Sequence, residues 1–196
     1  MEILVIDASV AFDLERGGLL EAMFQLRYEF VTPDLLYVKE LENDIIGATL
    51  VGLGLRVVEL TSDEVNAAQA LARGDARLSR PDCWAAVCAK RDNHRLLCGD
   101  ATLRSRAEAE AIRCSGLLWI LDRLEDAAIA TPRALADALS QILKHHRVRL
   151  PRAEVEARLA RWSALADRRE ISEPSANYGA EGGTIGFQAR LEESPR

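Results

Sequence analysis

Two stretches, Glu2-Ile3-Leu4-Val5-Ile6-Asp7 and His94-Arg95-Leu96-Leu97-Cys98-Gly99-Asp100, each carry a short apolar run that ends in an aspartate. A run of about four to six apolar residues bounded by turn signals reads as a strand buried on both faces. Strands of that kind belong to parallel sheets covered by helices. In such sheets a ligand site lies beyond the carboxyl ends of the strands, so Asp7 and Asp100 are expected on one edge of one sheet. Two ionised carboxylates about 4 Å apart repel by roughly 4 kcal/mol at an effective dielectric of 20. A fold that brings them together needs a cation, a shared proton or a basic partner there.

Outward from these runs the chain alternates strand and helix. After the strand at 2–7, helical material at 8–26 is interrupted by Gly17-Gly18, and Tyr28 to Thr32 reads as a second strand. Pro33 is expected to open a helix carrying Leu35, Leu36, Leu41, Ile45 and Ile46, with Glu40 and Glu42 among them. Leu55 to Leu60 is a third strand, and Thr61 caps a helix with Val65, Ala68 and Leu71 on one face. A helix over residues 81–91 precedes the strand that ends at Asp100. Thr102 is then expected to cap a helix with Leu103, Ala107 and Ile112, and Gly116 to Ile120 to form a last short strand. The fold class is α/β, a three-layer α/β/α domain with a mainly parallel central sheet. It occupies residues 1–126. A C-terminal helical extension follows over 127–170, with Thr131-Pro132 and Pro151 at its two helix starts and an apolar stripe of Val155, Leu159, Trp162 and Leu165. Residues 171–196, rich in Gly, Ser, Glu and Pro, read as a disordered tail.

Composition narrows the function classes. The 196 residues are 48% hydrophobic and 29% charged, with a formal charge of −6, ordinary for a globular chain. The acidic balance argues against a broad nucleic-acid-binding face and leaves room for a local basic groove. The cysteines, at 83, 88, 98 and 114, show no Cys-x-x-Cys spacing and fit reduced thiols in a cytoplasmic protein. No signal peptide is visible, and the longest apolar stretch, Ile45 to Leu55, is broken by glycines and too short to span a bilayer, so no membrane role is expected. No Walker-type phosphate loop, dinucleotide fingerprint or nucleophile elbow is present.

Two further acids stand where helices can aim them at the same edge. Glu40 lies in the helix after the second strand, and Asp82 lies in Ser79-Arg80-Pro81-Asp82-Cys83-Trp84 at a helix start. An acid in a first helical turn also serves as a plain cap favoured by the helix dipole, and Glu40 also reads as a solvated face residue.

The order strand-Asp7-Ala8-Ser9, then Pro33 and a helix with Glu40-Leu41, then Ser79-x-x-Asp82 opening a helix, then Leu96-Leu97-Cys98-Gly99-Asp100-Ala101-Thr102-Leu103 resembles the PIN domain, a family of metal-dependent nucleases. The likeness runs from residue 2 to about 125. Among bacterial members it is most similar to the toxins of VapBC toxin–antitoxin modules, which are endoribonucleases. The resemblance implies four acids at the carboxyl edge, Asp7, Glu40, Asp82 and Asp100, that hold Mg²⁺ or Mn²⁺. Asp7 and Asp100 would be principal ligands, Asp82 a ligand or a residue that positions the attacking water, and Glu40 an outer carboxylate. Ser9 matches the hydroxyl that orders the first acid, and Thr102 occupies a position where some members carry another acid. Glu42 competes with Glu40, and Asp75 with Asp82. An all-oxygen donor set suits a hard divalent ion.

An RNA substrate must meet positive charge near such a site. Arg80, Arg104 and Arg106 flank the acids in sequence and are candidate phosphate contacts, although solvated helix-face arginines read the same way. Trp84 either stacks on a base or packs in the core. The densest basic run, Lys144-His145-His146-Arg147-Val148-Arg149, reads first as a cation-rich helix end, with RNA or an acidic partner as the other reading. By resemblance, an antitoxin protein and a homodimer are expected partners. The alternatives are a non-catalytic PIN-like interaction module and a phosphotransfer receiver domain. The latter lacks the paired acid and later lysine it would need near Asp7 and Asp100.

Overall fold

The computed structural model describes residues 1–172. Its centre is a five-stranded, all-parallel sheet in the order β3-β2-β1-β4-β5. The central strand β1 (Ile3–Ile6) is flanked by β2 (Glu29–Pro33) and β4 (His94–Leu97), with β3 (Arg56–Val58) and β5 (Cys114–Ser115) at the edges. Leu4, Val5, Ile6, Leu96 and Leu97 are fully buried, because helices cover both faces and leave no polar side for an alternating pattern. Ile6 stands opposite Leu97 in the parallel register, so the two runs that end in aspartate finish side by side.

The helices follow their caps. After β1 come α1 (Ala8–Arg16) and α2 (Leu20–Phe24), separated at Gly17-Gly18 as the sequence indicates. α5 (Ser62–Gly74) starts in a capping box: Thr61 N–H donates to Glu64 Oε2 at 2.8 Å and Glu64 N–H to Thr61 Oγ1 at 3.3 Å. α6 (Arg80–Cys88) follows, with Cys83 and Cys88 buried, and α7 (Ala101–Ala109) follows β4. The expected start of α7 is corrected here. Asp100, not Thr102, is its cap, with Oδ1 accepting from Leu103 N–H at 2.8 Å, and Thr102 lies inside the first turn.

Two other expectations change. Residues 116–120 are not a strand. β5 is the two residues before them, and Leu117–Asp126 is helix α8. Periodicity cannot separate a short buried strand from a buried helix. Here the apolar set continues through Leu121 and Leu124, which is a helical face. Pro33 closes β2, paired with Val58, rather than opening a helix. A short α3 (Asp34–Leu36) then passes into a π-helical turn, Tyr37–Leu41, with Glu42 N–H donating to Tyr37 O at 2.8 Å. α4 (Ile45–Leu53) restarts behind an Asp44 cap.

The C-terminal helices are α9 (Pro132–Leu143), capped by Thr131, and α10 (Arg152–Ser172). α9 packs on α1 and α10 on α9. In the expected stripe Val155 and Trp162 are buried and Leu159 is half-buried, while Leu165 is exposed. Arg158 fixes α10 to α8 by a two-pronged pair with Asp122, at 2.9 and 2.6 Å. The tail expected to be disordered lies outside the described residues apart from 171–172, which continue α10. Among the described residues no helix is long and apolar enough to cross a membrane.

Gly47 holds α4 against the π-helical turn. A Cβ there would lie 2.1 Å from Leu41 O, a backbone atom that cannot swing away. Gly47→Ala is expected to lower unfolding free energy by at least about 2 kcal/mol, measured by urea denaturation, with an unchanged slope if the fold persists.

Candidate active site

Asp7 is the N-cap residue of α1 but caps nothing with its side chain. Its carboxyl is only 5% exposed, and its hydrogen bond comes from the Ser9 hydroxyl, a short contact to Oδ2. Ser9 Oγ also accepts Gly99 N–H at 3.3 Å, while Asp7 N–H donates to Leu97 O at 3.0 Å. One hydroxyl thus ties the end of β1 to the turn after β4. Gly99 fits closely there, since a Cβ would sit 3.2 Å from Ser9 Oγ. Among the described residues no Lys or Arg forms an ion pair with Asp7.

Electrostatics tie the other acids to this carboxyl. Burial is the main cause that pushes the Asp7 carboxyl up to about 7. The Ser9 hydrogen bond opposes it, and the Asp82 and Glu40 charges then add to the rise. Glu40 is solvent-exposed by area, yet the protein around it and then the Asp82 charge hold its carboxyl above the ordinary range. Asp7, Glu40 and Asp82 therefore lie within one another's field. Ser9, Glu40, Gly99 and Asp100 line a single cleft of about 570 Å³ beyond the carboxyl ends of β1 and β4. Glu42 does not line it. Asp75 is held by Arg77 at 2.7 Å, and its carboxyl lies low, at about 2, for that reason.

Glu40 and Asp100 line the cleft and Asp7 and Asp82 do not, so the four carboxylates do not close around a point. Among the described residues no three His, Cys, Asp or Glu side chains form a metal-binding group. Two of the acids are occupied locally. Asp82 Oδ2 accepts Ser79 N–H at 2.7 Å in a capping box, and Asp100 Oδ1 caps α7. Each cap uses one oxygen and leaves the other. The donors are all carboxylate oxygens, which suits a hard divalent cation. A buried carboxyl with two acids in its field and no cation facing it is also a place where added positive charge would be stabilising. On both counts the residues present fit such an ion.

The expected phosphate-binding arginines divide. Arg104 lies near the cleft, with Nη2 donating to Cys98 O at 3.2 Å. Arg106 is paired with Glu110, which also holds Lys90 at 2.7 Å. Arg80 lines a separate groove with Leu35, Val65 and Trp84, so Trp84 faces that groove rather than the acids. Segment 145–150, which the sequence presents first as a cation-rich helix end, also reaches the cleft. His145, Arg147 and Arg149 line the same cleft as Ser9, Glu40 and Asp100. The density of cations at 144–149 was the available signal.

With the folded-state value of Asp7 raised, the native protein retains a proton that the unfolded chain releases between about pH 4 and 7. Stability contributed by this group is present below about pH 4 and lost as pH rises through 7. In chelator-treated protein, Asp7→Asn is expected to raise stability above about pH 7, by at most about 4 kcal/mol, and to leave it unchanged near pH 4. Thermal unfolding of both proteins across this pH range checks it.

A family model described as a PIN domain matches residues 3–164. That span takes in the sheet, the acids, α9 and most of α10. Among curated proteins and solved structures, none matches the chain.

Proposed function

The chain belongs to the PIN-domain family, whose members are generally nucleases, and from that premise we propose that it is an Mg²⁺- or Mn²⁺-dependent endoribonuclease that hydrolyses RNA phosphodiester bonds. The observation that carries the reading is Asp7: a carboxyl buried at the end of the central strand, unpaired with any cation among the described residues, and set in the field of Asp82 and Glu40.

Asp7 and Asp100 are the principal holders of the ion in this reading, with Asp82 beside them and Glu40 further out. When bound, a divalent cation polarises a phosphoryl oxygen and makes water a better nucleophile. The chain's own part is positional. β1 and β4 run side by side to Ile6 and Leu97, and Asp7 N–H donates to Leu97 O, which fixes where Asp7 leaves the sheet. Ser9 holds one Asp7 oxygen in place and, through Gly99 N–H, holds the turn that presents Asp100. Glu40, on the π-helical turn, stands at the rim of the cleft, where its charge adds to the field around Asp7.

We extend the proposal to the toxin of a toxin–antitoxin pair, acting in the cytoplasm, with an antitoxin protein and a second copy of the chain as partners. Expression of the wild-type chain would then arrest growth, and Asp7→Asn would not. The caps on Asp82 and Asp100 favour a second reading, a PIN-like interaction module without catalysis, because each carboxylate already has a structural use.

Metal titration separates the two. Millimolar Mn²⁺ is expected to raise the thermal midpoint of the wild type, by the equivalent of about 2.7 kcal/mol at a hundredfold excess over Kd, and to leave Asp7→Asn unmoved. In the same buffer the wild type should cleave single-stranded RNA. Asp7→Asn and Asp100→Asn should each lower the rate at least about a hundredfold, the loss of about 2.7 kcal/mol of transition-state stabilisation. A folded wild type that neither binds Mn²⁺ nor cleaves RNA selects the interaction module.

A further inference from the structure

The cleft beyond β1 and β4 is lined by charges of both signs, with Asp13, Glu40 and Asp100 beside Arg16, His145, Arg147 and Arg149. The last three form one wall of it, the connection between α9 and α10, and the placement of that wall is built by packing. Ile142, near the end of α9, lies against Gly17 at the end of α1, where a Cβ would come within 2.8 Å of its Cδ1. His145 lies within the field of Arg16 and Asp13 on α1. Val148, Arg149 and Leu150 then reach the cleft lined by Ser9 and Gly99 at the start of α1. The segment therefore runs back along α1 from its far end to the acidic edge. The pairs Arg158–Asp122 and Arg161–Glu125 clamp the following helix to α8.

The charges on this wall are available. Among the described residues neither Arg147 nor Arg149 forms an ion pair with a carboxylate, whereas Arg16, Arg77, Arg91, Arg106 and Arg158 all do. Both are exposed. Arg149 Nη1 donates to the backbone oxygens of His146 and Val148, which orients the guanidinium and leaves its other N–H groups open. His145 Nδ1 is buried without a hydrogen-bond partner. Arg149 also lines an adjoining cleft that holds Arg104.

We propose that segment 145–150 is the substrate-binding wall of the site, with Arg147 and Arg149 holding backbone phosphates of single-stranded RNA while the acids face the linkage to be cut. The inference rests on the nuclease reading above and adds which residues bind the substrate. A polyanion entering an acidic cleft needs cations within contact distance. Guanidinium groups suit phosphate by their forked donors. Two residues apart, and so at most about 7 Å between Cα atoms, the two arginines are close enough to engage one strand together.

The test is binding of a short fluorescent single-stranded RNA in EDTA, by anisotropy over a range of salt concentrations. It compares the full-length wild type, Asp7→Asn, the double variant Arg147→Ala/Arg149→Ala and the double variant Arg147→Lys/Arg149→Lys. The alanine variant should bind at least about tenfold more weakly, and its log Kd against log salt should be shallower by about 1.4, two phosphate contacts at about 0.7 each. The lysine variant should keep most of that slope, and Asp7→Asn should bind no worse than wild type. Thermal midpoints check that the variants fold. If the alanine variant is destabilised, the double variant Arg147→Gln/Arg149→Gln decides: a slope shallower by about 1.4 supports the assignment and an unchanged one overturns it. A wild type that cleaves RNA with Mn²⁺ while the alanine variant binds with unchanged affinity and slope overturns this inference and leaves the nuclease reading standing. A wild type that neither cleaves nor binds RNA overturns both.

Discussion

Asp7 leaves the central strand with almost none of its surface in water, and the Ser9 hydroxyl is what holds it there. An isolated buried carboxylate is costly, so such a group either keeps its proton or meets a compensating charge. This chain moves the first way, with the carboxyl raised to about 7, and at the same time places Asp82 and Glu40 so that their charges push further in that direction. A sequence selected only for stability would put an apolar residue or an arginine there. The sheet order follows from the same requirement. With β1 in the middle, Asp7 emerges between β2 and β4, and the helices after those strands carry Glu40 and Asp100 to its sides.

Ser9 and Gly99 make that arrangement rigid. The hydroxyl donates to one strand end and accepts from the turn after the other. The bare α-carbon at residue 99 lets the two approach. The site is thus held by backbone positions on regular elements, the kind of support that keeps reacting groups in place. The caps on Asp82 and Asp100 have a related effect. Each anchors its carboxylate to a helix N-terminus, where the helix dipole favours negative charge.

Much of the fold was legible because its signals are local. The apolar runs at 3–6 and 94–97, the Thr61 and Thr131 caps and the break at Gly17-Gly18 all depend on neighbours within a few residues. Residues 116–120 misled because Leu-Leu-Trp-Ile-Leu alone satisfies a buried strand and a buried helix equally, and only the continuation to Leu124 marks a helical face. Pro33 misled because proline suits a strand's last residue as well as a helix start. The place of Asp7 was legible because it directly follows the apolar run of β1. That residues 145–150 line a cleft with Ser9 was not, because the turn after α9 reaches it only through packing on α1, which a local density of cations does not encode.

The outermost strands bear on how another protein can meet this molecule. β3 contributes three paired residues and β5 two. Strand addition draws its affinity from a row of free main-chain groups along an exposed margin, and margins this brief offer few of them. Natural sheets shorten their outer strands to discourage such edge-to-edge joining. A companion chain would therefore have to be recognised through side chains on helical faces, and its specificity would reside in shape and charge rather than in backbone ladders.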